Sequence, residues 1–186
     1  LWSIPAQQIV VARRIRKMPK VVMAKQAAAP TRVDSFWSHH TIYLSPIVSE
    51  AQSLAWMRKI DELYPLYFEY CGLYAPHEGE VILDYGCGPG NDLVGWAIYS
   101  KAKKIIGMDI SRRALELARR RLAMHRFDFQ RMAFIQISDG TPQIPLDDAS
   151  VDYVNCLGVL HHTTDMEAIL REFLRVLKPG CEARVM

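Results

Sequence analysis

The sequence lacks the features that mark membrane proteins and disulfide-rich or zinc-binding domains. Charged residues or glycines interrupt every apolar run before it reaches the ~18 residues that a membrane-spanning helix requires. The cysteines lie far apart and include no C-x-x-C pair, so neither a disulfide framework nor a zinc site is indicated. They are Cys71, Cys87, Cys156 and Cys181. We therefore expect a soluble cytoplasmic protein with no bound metal.

Acidic residues are absent from the first part of the chain. Residues 1–33 carry seven Lys or Arg and no Asp or Glu, while the whole chain has a net charge of only +3. The remaining residues therefore carry a net negative charge. We predict that residues 1–33 form a basic, poorly ordered arm, and the alternatives are contact of this arm with RNA or an anionic surface, or a role as an organelle-targeting segment.

Hydrophobic patterning predicts alternating strands and helices from residue 79 onwards. Short apolar runs predict strands at Val81–Leu83, Lys104–Met108, Met132–Ser138 and Val151–Cys156. Helices are predicted at Asn91–Tyr99, after the N-cap Ser111, and after a capping box of Thr164 with Glu167, ending at residues 178–180. A fifth strand follows residue 180. This alternation predicts an α/β fold, a Rossmann-like, doubly wound and mostly parallel sheet.

The stretch VILDYGCGPGND, residues 81–92, places three glycines at alternate positions after the first predicted strand. The dinucleotide-binding pattern G-x-G-x-x-G needs a glycine where this chain has Asn91, and Pro89 removes one backbone N–H from the loop. Asp84 and Asp92 flank the place where a pyrophosphate would lie, and like charges so close together are unfavourable. The loop therefore favours a cationic ligand over a phosphate.

The segment LDYGCGPGND resembles the first motif of class I S-adenosylmethionine-dependent methyltransferases. Later segments resemble the remaining motifs of that family in order. These are Asp109 after the second strand, Asp139-Gly140 after the third, Asn155 at the end of the fourth, and LREFLRVLKPG before the fifth. The resemblance implies S-adenosylmethionine as methyl donor, S-adenosylhomocysteine as product, and no metal.

The resemblance also implies a role for each matching residue. Asp109 would accept hydrogen bonds from the ribose hydroxyls, Ile110 would pack on the adenine, and Asp139 would accept a hydrogen bond from the adenine amino group. The implied cofactor-binding set is Asp84, Tyr85, Gly86, Gly88, Gly90, Asn91, Asp109, Ile110, Asp139, Gly140, Asn155 and Leu157. From the residues alone, Asp109 could instead flank the helix that follows Ser111, and Asp139-Gly140 could form an ordinary turn.

The segment after the fourth strand bears on the methyl acceptor. Methyltransferases acting on amino groups of DNA bases typically carry Asp/Asn-Pro-Pro-aromatic there, whereas residues 155–158 are Asn-Cys-Leu-Gly, so we expect no DNA partner. LGVLHHTTD instead resembles members that methylate small molecules, which implies in-line displacement by an N, O or C nucleophile. His161 and His162 are candidate general bases, and packing at a strand-to-helix junction is the alternative.

Residues 34–78 precede the sheet, in the position where this family usually builds a lid over its substrate. The segment is rich in aromatic residues, which suits closure over an organic acceptor, although ordinary packing of a covering helix explains it equally well. The candidate substrate contacts are Phe36, Trp37, His40, Tyr43 and Arg58.

Complete members of the family add two strands after the fifth, and this chain runs from Leu1 to Met186. We therefore expect a fragment, with residues 79–186 as a cofactor-binding domain that lacks its last strands. A non-catalytic module that binds S-adenosylmethionine and an NAD(P)-dependent oxidoreductase are the alternative functions. The sequence leaves the oligomeric state open.

Overall fold

A computed structural model of the chain describes residues 31–40 and 47–186. The predicted basic arm therefore lies almost wholly outside the described residues, and so does Tyr43. Within the described ranges, no helix is both long enough and apolar enough to cross a membrane.

Five parallel strands form the centre of the fold. They are β1 (Val81–Tyr85), β2 (Lys104–Asp109), β3 (Met132–Gln136), β4 (Val151–Cys156) and β5 (Leu177–Val185). Their order in the sheet is β3-β2-β1-β4-β5, and every neighbouring pair is parallel. Because the first strand lies in the middle of the sheet and later strands are added outwards on both sides of it, the sheet is doubly wound. The predicted Rossmann-like α/β fold is confirmed.

Helices cover both faces of this sheet. Among the described residues they are α1 (Arg32–His39), α2 (Glu50–Leu63), α3 (Tyr67–Tyr70), α4 (Asn91–Tyr99), α5 (Arg112–Met124) and α6 (Met166–Val176). Successive strand residues point to opposite faces, so Ile82 joins an apolar cluster with Trp96 of α4, whereas Leu83 joins a second cluster with Phe173 of α6. The sheet is therefore buried between two helical layers.

The apolar stripe predicted on α5 is confirmed. Leu115, Ala118 and Leu122 are buried against the sheet, while the arginines between them mostly face outwards. Ser111 caps the helix, because its Oγ accepts a hydrogen bond from the backbone N–H of Ala114 at 3.2 Å.

Four strand boundaries differ from the prediction, the smallest difference being that β2 ends at Asp109 rather than at Met108. β1 extends to Tyr85, because its parallel pairing with β2 continues to that residue, and β3 ends at Gln136 rather than at Ser138. The helix stop predicted at residues 178–180 lies inside β5, which begins at Leu177 directly after α6. β5 forms this long pairing by a register shift opposite β4.

The capping box predicted before α6 is wrong. The N-cap is Asp165, whose side chain accepts a hydrogen bond from the backbone N–H of Ala168 at 2.9 Å. Thr164 cannot act as the cap because it lies one residue too early, and its own backbone N–H is bonded to Asp139.

The carboxyl ends of the central strands bring polar residues to one edge of the sheet. Asp84 near the end of β1 lies in register with Asn155 of β4, and Asp109 ends β2. α4 begins at Asn91, close to the same edge. In open parallel sheets, ligands bind beyond this edge where the strand order reverses, which here is at β1.

Candidate functional site

A cavity of ≈ 210 Å³ opens beyond the carboxyl ends of the strands. The predicted residues that border it are Trp37, Asp84, Tyr85, Gly86, Gly88, Asn91, Asp109, Ile110, Asp139, Asn155, Leu157 and His162. Those that do not border it are Phe36, His40, Arg58, Gly90, Gly140 and His161. Tyr85 contributes to the cavity wall, but its ring packs edge-to-face on Phe173 in the core.

The glycine loop after β1 needs its glycines for two different reasons. At Gly86, a Cβ atom would lie 2.3 Å from the side chain of Val159, and φ is +78°, so a side chain is excluded sterically. At Gly88, φ is +51° and a Cβ atom would meet nothing within 4 Å. The open space beside Gly88 belongs to the cavity, so its missing side chain leaves room for a ligand.

Two buried carboxylates lie beside this loop and share one donor. The side-chain NH₂ of Asn155 donates to Asp84 at 2.9 Å and to Asp92 at 3.2 Å. The hydroxyl of Tyr67 donates to both oxygens of Asp92, at 3.2 and 3.0 Å. Asp84, Asp92 and Asn155 are all at most 9% exposed.

Burial raises the pKa of both carboxyl groups. For Asp84, burial and then the negative charge of Asp92 raise the pKa well above its usual value, although the hydrogen bond from Asn155 opposes this. For Asp92, burial raises the pKa to about 6, against the hydrogen bonds from Tyr67 and Asn155 and the charge of Arg121. Each of these carboxyl groups therefore keeps its proton more readily than an exposed one, and a cation bound there would favour the ionised forms.

Asp109 holds the loop in place. One of its carboxylate oxygens accepts from the backbone N–H of Gly88 and the other from that of Ser111, both at 2.8 Å. Burial raises the pKa of Asp109, although these hydrogen bonds oppose the shift. Each oxygen keeps a second acceptor position, so the carboxylate can also accept hydrogen bonds from a ligand in the cavity.

Two further acceptor atoms at the cavity lack a partner among the described residues. Asp139 accepts from the backbone N–H of Thr164 through Oδ1 at 3.0 Å, but its Oδ2 is buried and unbonded. The Oδ1 of Asn155 is also buried and unbonded. Because buried polar atoms nearly always have partners, these two oxygens indicate where a bound molecule would donate hydrogen bonds.

His162 borders the cavity, and the ring of the exposed His161 lies against it. Their ring centroids lie 3.9 Å apart, and the ring of His162 lies 4.8 Å from that of Trp37. Burial, followed by the charge of His161, lowers the pKa of His162, so its imidazole is neutral at physiological pH. A neutral imidazole at the cavity wall can accept a proton from a bound acceptor.

The N-terminal segment contributes to the cavity through α1 and through the start of α3. Val33 and Trp37 of α1 border the cavity, as does Tyr67. Phe36 does not border the cavity: it is half exposed, and its ring stacks on that of His40 with centroids 4.3 Å apart.

Sequence reasoning did not assign Tyr67, Asp34 or Arg121 to this site. Tyr67 reaches Asp92 from the aromatic-rich segment, where no pattern distinguishes it from the neighbouring tyrosines. Asp34 follows Thr31 by three residues, which is the spacing of a capping box, and the structure shows that box. Arg121 interrupts the apolar stripe of α5, three residues after Ala118, and a charge at such a position is a signal of a buried partner.

Arg121 joins three parts of the structure. It is only 3% exposed and donates to the Oγ of Ser53 in α2 at 2.7 Å, to the carbonyl of Ser53 at 3.2 Å, and to the side-chain oxygen of Asn91 at the start of α4. The N-terminal segment is thereby tied to the end of the glycine loop.

Over the described part of the chain, no group of three or more His, Cys, Asp or Glu residues is arranged to hold a metal ion.

Residues 76–185, more than half of the chain, match a family described as a methyltransferase domain. The ubiquinone biosynthesis O-methyltransferase of Idiomarina loihiensis is 33% identical over 104 residues, which cover 55% of this chain and 40% of that protein. The malonyl-[acyl-carrier protein] O-methyltransferase of Serratia marcescens is 31% identical over 109 residues, which cover 59% of this chain and 38% of that protein. The chain thus spans less than half the length of these two relatives.

A similar fold occurs in a solved structure that is named as a cyclase. The crystal structure of the [4+2]-cyclase SpnF matches with a TM-score of 0.56 and 26% sequence identity, covering 70% of this chain and 45% of that chain.

Proposed function

The chain belongs to the methyltransferase-domain family, and we propose on this basis that it binds S-adenosylmethionine in the cavity beside the glycine loop. The observation that carries the proposal is the pair of buried carboxylates, Asp84 and Asp92, at that loop. S-adenosylmethionine has a sulfonium and an ammonium group and no phosphate, so it matches an acidic wall that would repel a dinucleotide.

The unbonded acceptors support this assignment. The Oδ2 of Asp139 is suited to accept from the adenine amino group, and the side chains of Ile110 and Ile137 border the same cavity as apolar surface for the ring. Asp109 is suited to the ribose hydroxyls, because each carboxylate oxygen has an acceptor position left. Gly88 leaves the space that the bound molecule needs.

We further propose that the whole protein transfers the methyl group to a small organic acceptor. S-adenosylmethionine supplies a methyl group already activated on a sulfonium, so the protein contributes mainly positioning and exclusion of water. Val33 and Trp37 cover the cavity from α1, and His162 accepts the proton that an acceptor hydroxyl or amine releases. The two relatives named O-methyltransferases favour oxygen as the attacking atom over nitrogen or carbon.

A second candidate function is cofactor binding without methyl transfer. It is supported by the similar fold of a protein named as a cyclase, because this similarity means that the fold alone does not imply methyl transfer. Assays of the full-length protein against a panel of hydroxylated and amino acceptors distinguish the two functions, because only the first releases S-adenosylhomocysteine.

For location, we propose the cytoplasm, supported by the four free cysteines, of which three are buried as thiols.

Calorimetric titration with S-adenosylhomocysteine tests the proposed binding. We expect micromolar affinity for the 186-residue chain and a loss of at least about tenfold in Asp109→Ala, because the ribose and the loop both lose their acceptor. The matched control is Asp128→Ala, which removes an exposed carboxylate whose hydrogen bond within the described ranges comes from the nearby N–H of Gln130. Equal binding by wild type and Asp109→Ala would contradict the proposal.

A further inference from the structure

Asp34 of α1 makes contacts that helix capping does not explain. In the capping box, one of its oxygens accepts from the backbone N–H of Thr31 at 2.8 Å. The same carboxylate also accepts from the hydroxyl of Ser138 at 2.7 Å and from the backbone N–H of Asp139 at 2.9 Å. These partners lie more than 100 residues away, just after β3, and Asp34 is only 7% exposed. An acid that served only as a helix cap would not need these two partners.

The hydrogen bonds of Asp34 join α1, which forms one wall of the cavity, to Asp139, which carries an unbonded acceptor oxygen. α1 carries Val33 and Trp37, which border the cavity, so its docking determines whether that side is covered. On the other side of the contact, Asp139 is held twice: its N–H donates to Asp34 and its Oδ1 accepts from Thr164. Of its two side-chain oxygens, Oδ2 remains unbonded.

We propose that Asp34 is a positioning residue that fastens α1 over the cavity and at the same time fixes Asp139 so that its free oxygen recognises the exocyclic amino group of adenine. The proposal rests on the proposed function in its ligand-recognition part, because it takes adenine as the group that occupies this end of the cavity. Closure of the cavity and recognition of the base thereby depend on the same carboxylate.

Hydrogen exchange of the ligand-free chain tests the contact itself. In Asp34→Ala, we expect exchange of the Asp139 amide to be about tenfold faster, and that of the α1 amides to rise as well, since both lose their buried partner. Thr31→Ala is the matched control: it removes the hydroxyl that caps α1 and leaves the Asp34 contacts with residues 138 and 139 in place. Unchanged protection of Asp139 in Asp34→Ala would overturn the proposal.

Ligand discrimination tests the positioning role. We expect the wild type to bind S-adenosylhomocysteine more tightly than S-inosylhomocysteine, in which an oxo group replaces the adenine amino group. Asp34→Ala should weaken adenosyl binding about tenfold and bring the ratio of the two affinities close to one. Asp34→Asn, which keeps a carbonyl oxygen for the Asp139 N–H, should largely preserve the ratio, as should Thr31→Ala.

The outcomes separate the two proposals. If Asp34→Ala weakens both ligands equally and keeps the ratio, Asp34 is only structural and the positioning role is wrong. If the wild type binds neither ligand, the proposed function is wrong and the recognition role of Asp34 falls with it, while the exchange experiment still decides whether Asp34 holds α1 and Asp139.

Discussion

At the scale of single residues, the site is defined by buried carboxyl groups that have few hydrogen-bond donors among the described residues. Asp84 and Asp92 share the one NH₂ group of Asn155, and the charge of Arg121 acts on Asp92. Burial makes ionisation of this pair unfavourable in the empty site, and a bound cation would stabilise the ionised carboxylates. The sign of these charges discriminates among ligands more strongly than the glycine spacing does.

The raised pKa of Asp92 predicts that cofactor binding strengthens with pH. Its pKa of about 6 in the folded chain means that the carboxyl is mostly protonated at pH 5 and mostly ionised at pH 7. Because a cationic ligand prefers the ionised form, affinity for S-adenosylmethionine should rise by up to about tenfold over that interval. Calorimetric titration at both pH values measures the change, and in Asp92→Asn the remaining rise should be smaller. Affinity that falls with pH would show that the charge argument is wrong.

The open space at Gly88 predicts a loss of binding without a large loss of stability. Gly88→Ala places a methyl group in the cavity and adds a strained positive φ, at a cost of about 1 kcal/mol of folding free energy. Gly79→Ala is the matched control, because Gly79 has φ +74° and also has open space around it, but does not border the cavity. Thermal unfolding should report similar destabilisation for both variants, whereas only Gly88→Ala should lose affinity for S-adenosylhomocysteine. Equal affinities would place the ligand elsewhere.

At the scale of elements, buried polar contacts hold the N-terminal helices against the cofactor-binding domain. Arg121 of α5 bonds to Ser53 of α2 and to Asn91 of α4, and Asp34 of α1 bonds to the segment after β3. Removing one partner of a buried, charged contact leaves the others unsatisfied, which costs more than the contact contributes on its own.

Replacement of Arg121 should therefore destabilise the whole fold. Arg121→Met leaves the side-chain oxygen of Asn91 without its donor and the hydroxyl of Ser53 with only its contact to Nε2 of His125, and we expect a loss of about 2–4 kcal/mol in the free energy of unfolding. The neighbouring Arg120 is exposed, so Arg120→Met should change the free energy by less than about 0.5 kcal/mol. Urea denaturation of the two variants gives the comparison. Equal stabilities would mean that Arg121 holds nothing together.

The sequence predicted those elements whose signal is local. The apolar stripe of α5, the N-cap Ser111 and the short apolar strands each depend on residues within a few positions of one another, and the structure confirms them. The predicted N-cap of α6 was wrong because Thr164 and Asp165 are both good capping residues. The choice between them depends on the backbone N–H of Thr164, which donates to Asp139, a residue distant in the sequence. Local pattern carries no information about such a contact.

At the scale of the whole molecule, the strand order places the site. The chain enters at β1 in the middle of the sheet, and the residues after β1, β2, β3 and β4 meet beyond the carboxyl ends of these strands. The cavity residues Asp84, Asp109 and Asn155 were predictable, because they lie at the carboxyl ends of strands that could be recognised. Tyr67 and Asp34 were not, because their contacts with Asp92 and Ser138 depend on how the N-terminal helices pack on the finished sheet.

Parallel titration of the folded chain with S-adenosylhomocysteine and with NAD tests most directly the claim that this acidic cavity accepts an adenosyl amino acid and rejects a dinucleotide. We predict micromolar binding of S-adenosylhomocysteine and no detectable binding of NAD, because Asp84 and Asp92 attract the ammonium group and repel a pyrophosphate. NAD binding of comparable affinity, or no binding of S-adenosylhomocysteine by a chain shown to be folded, would contradict that claim.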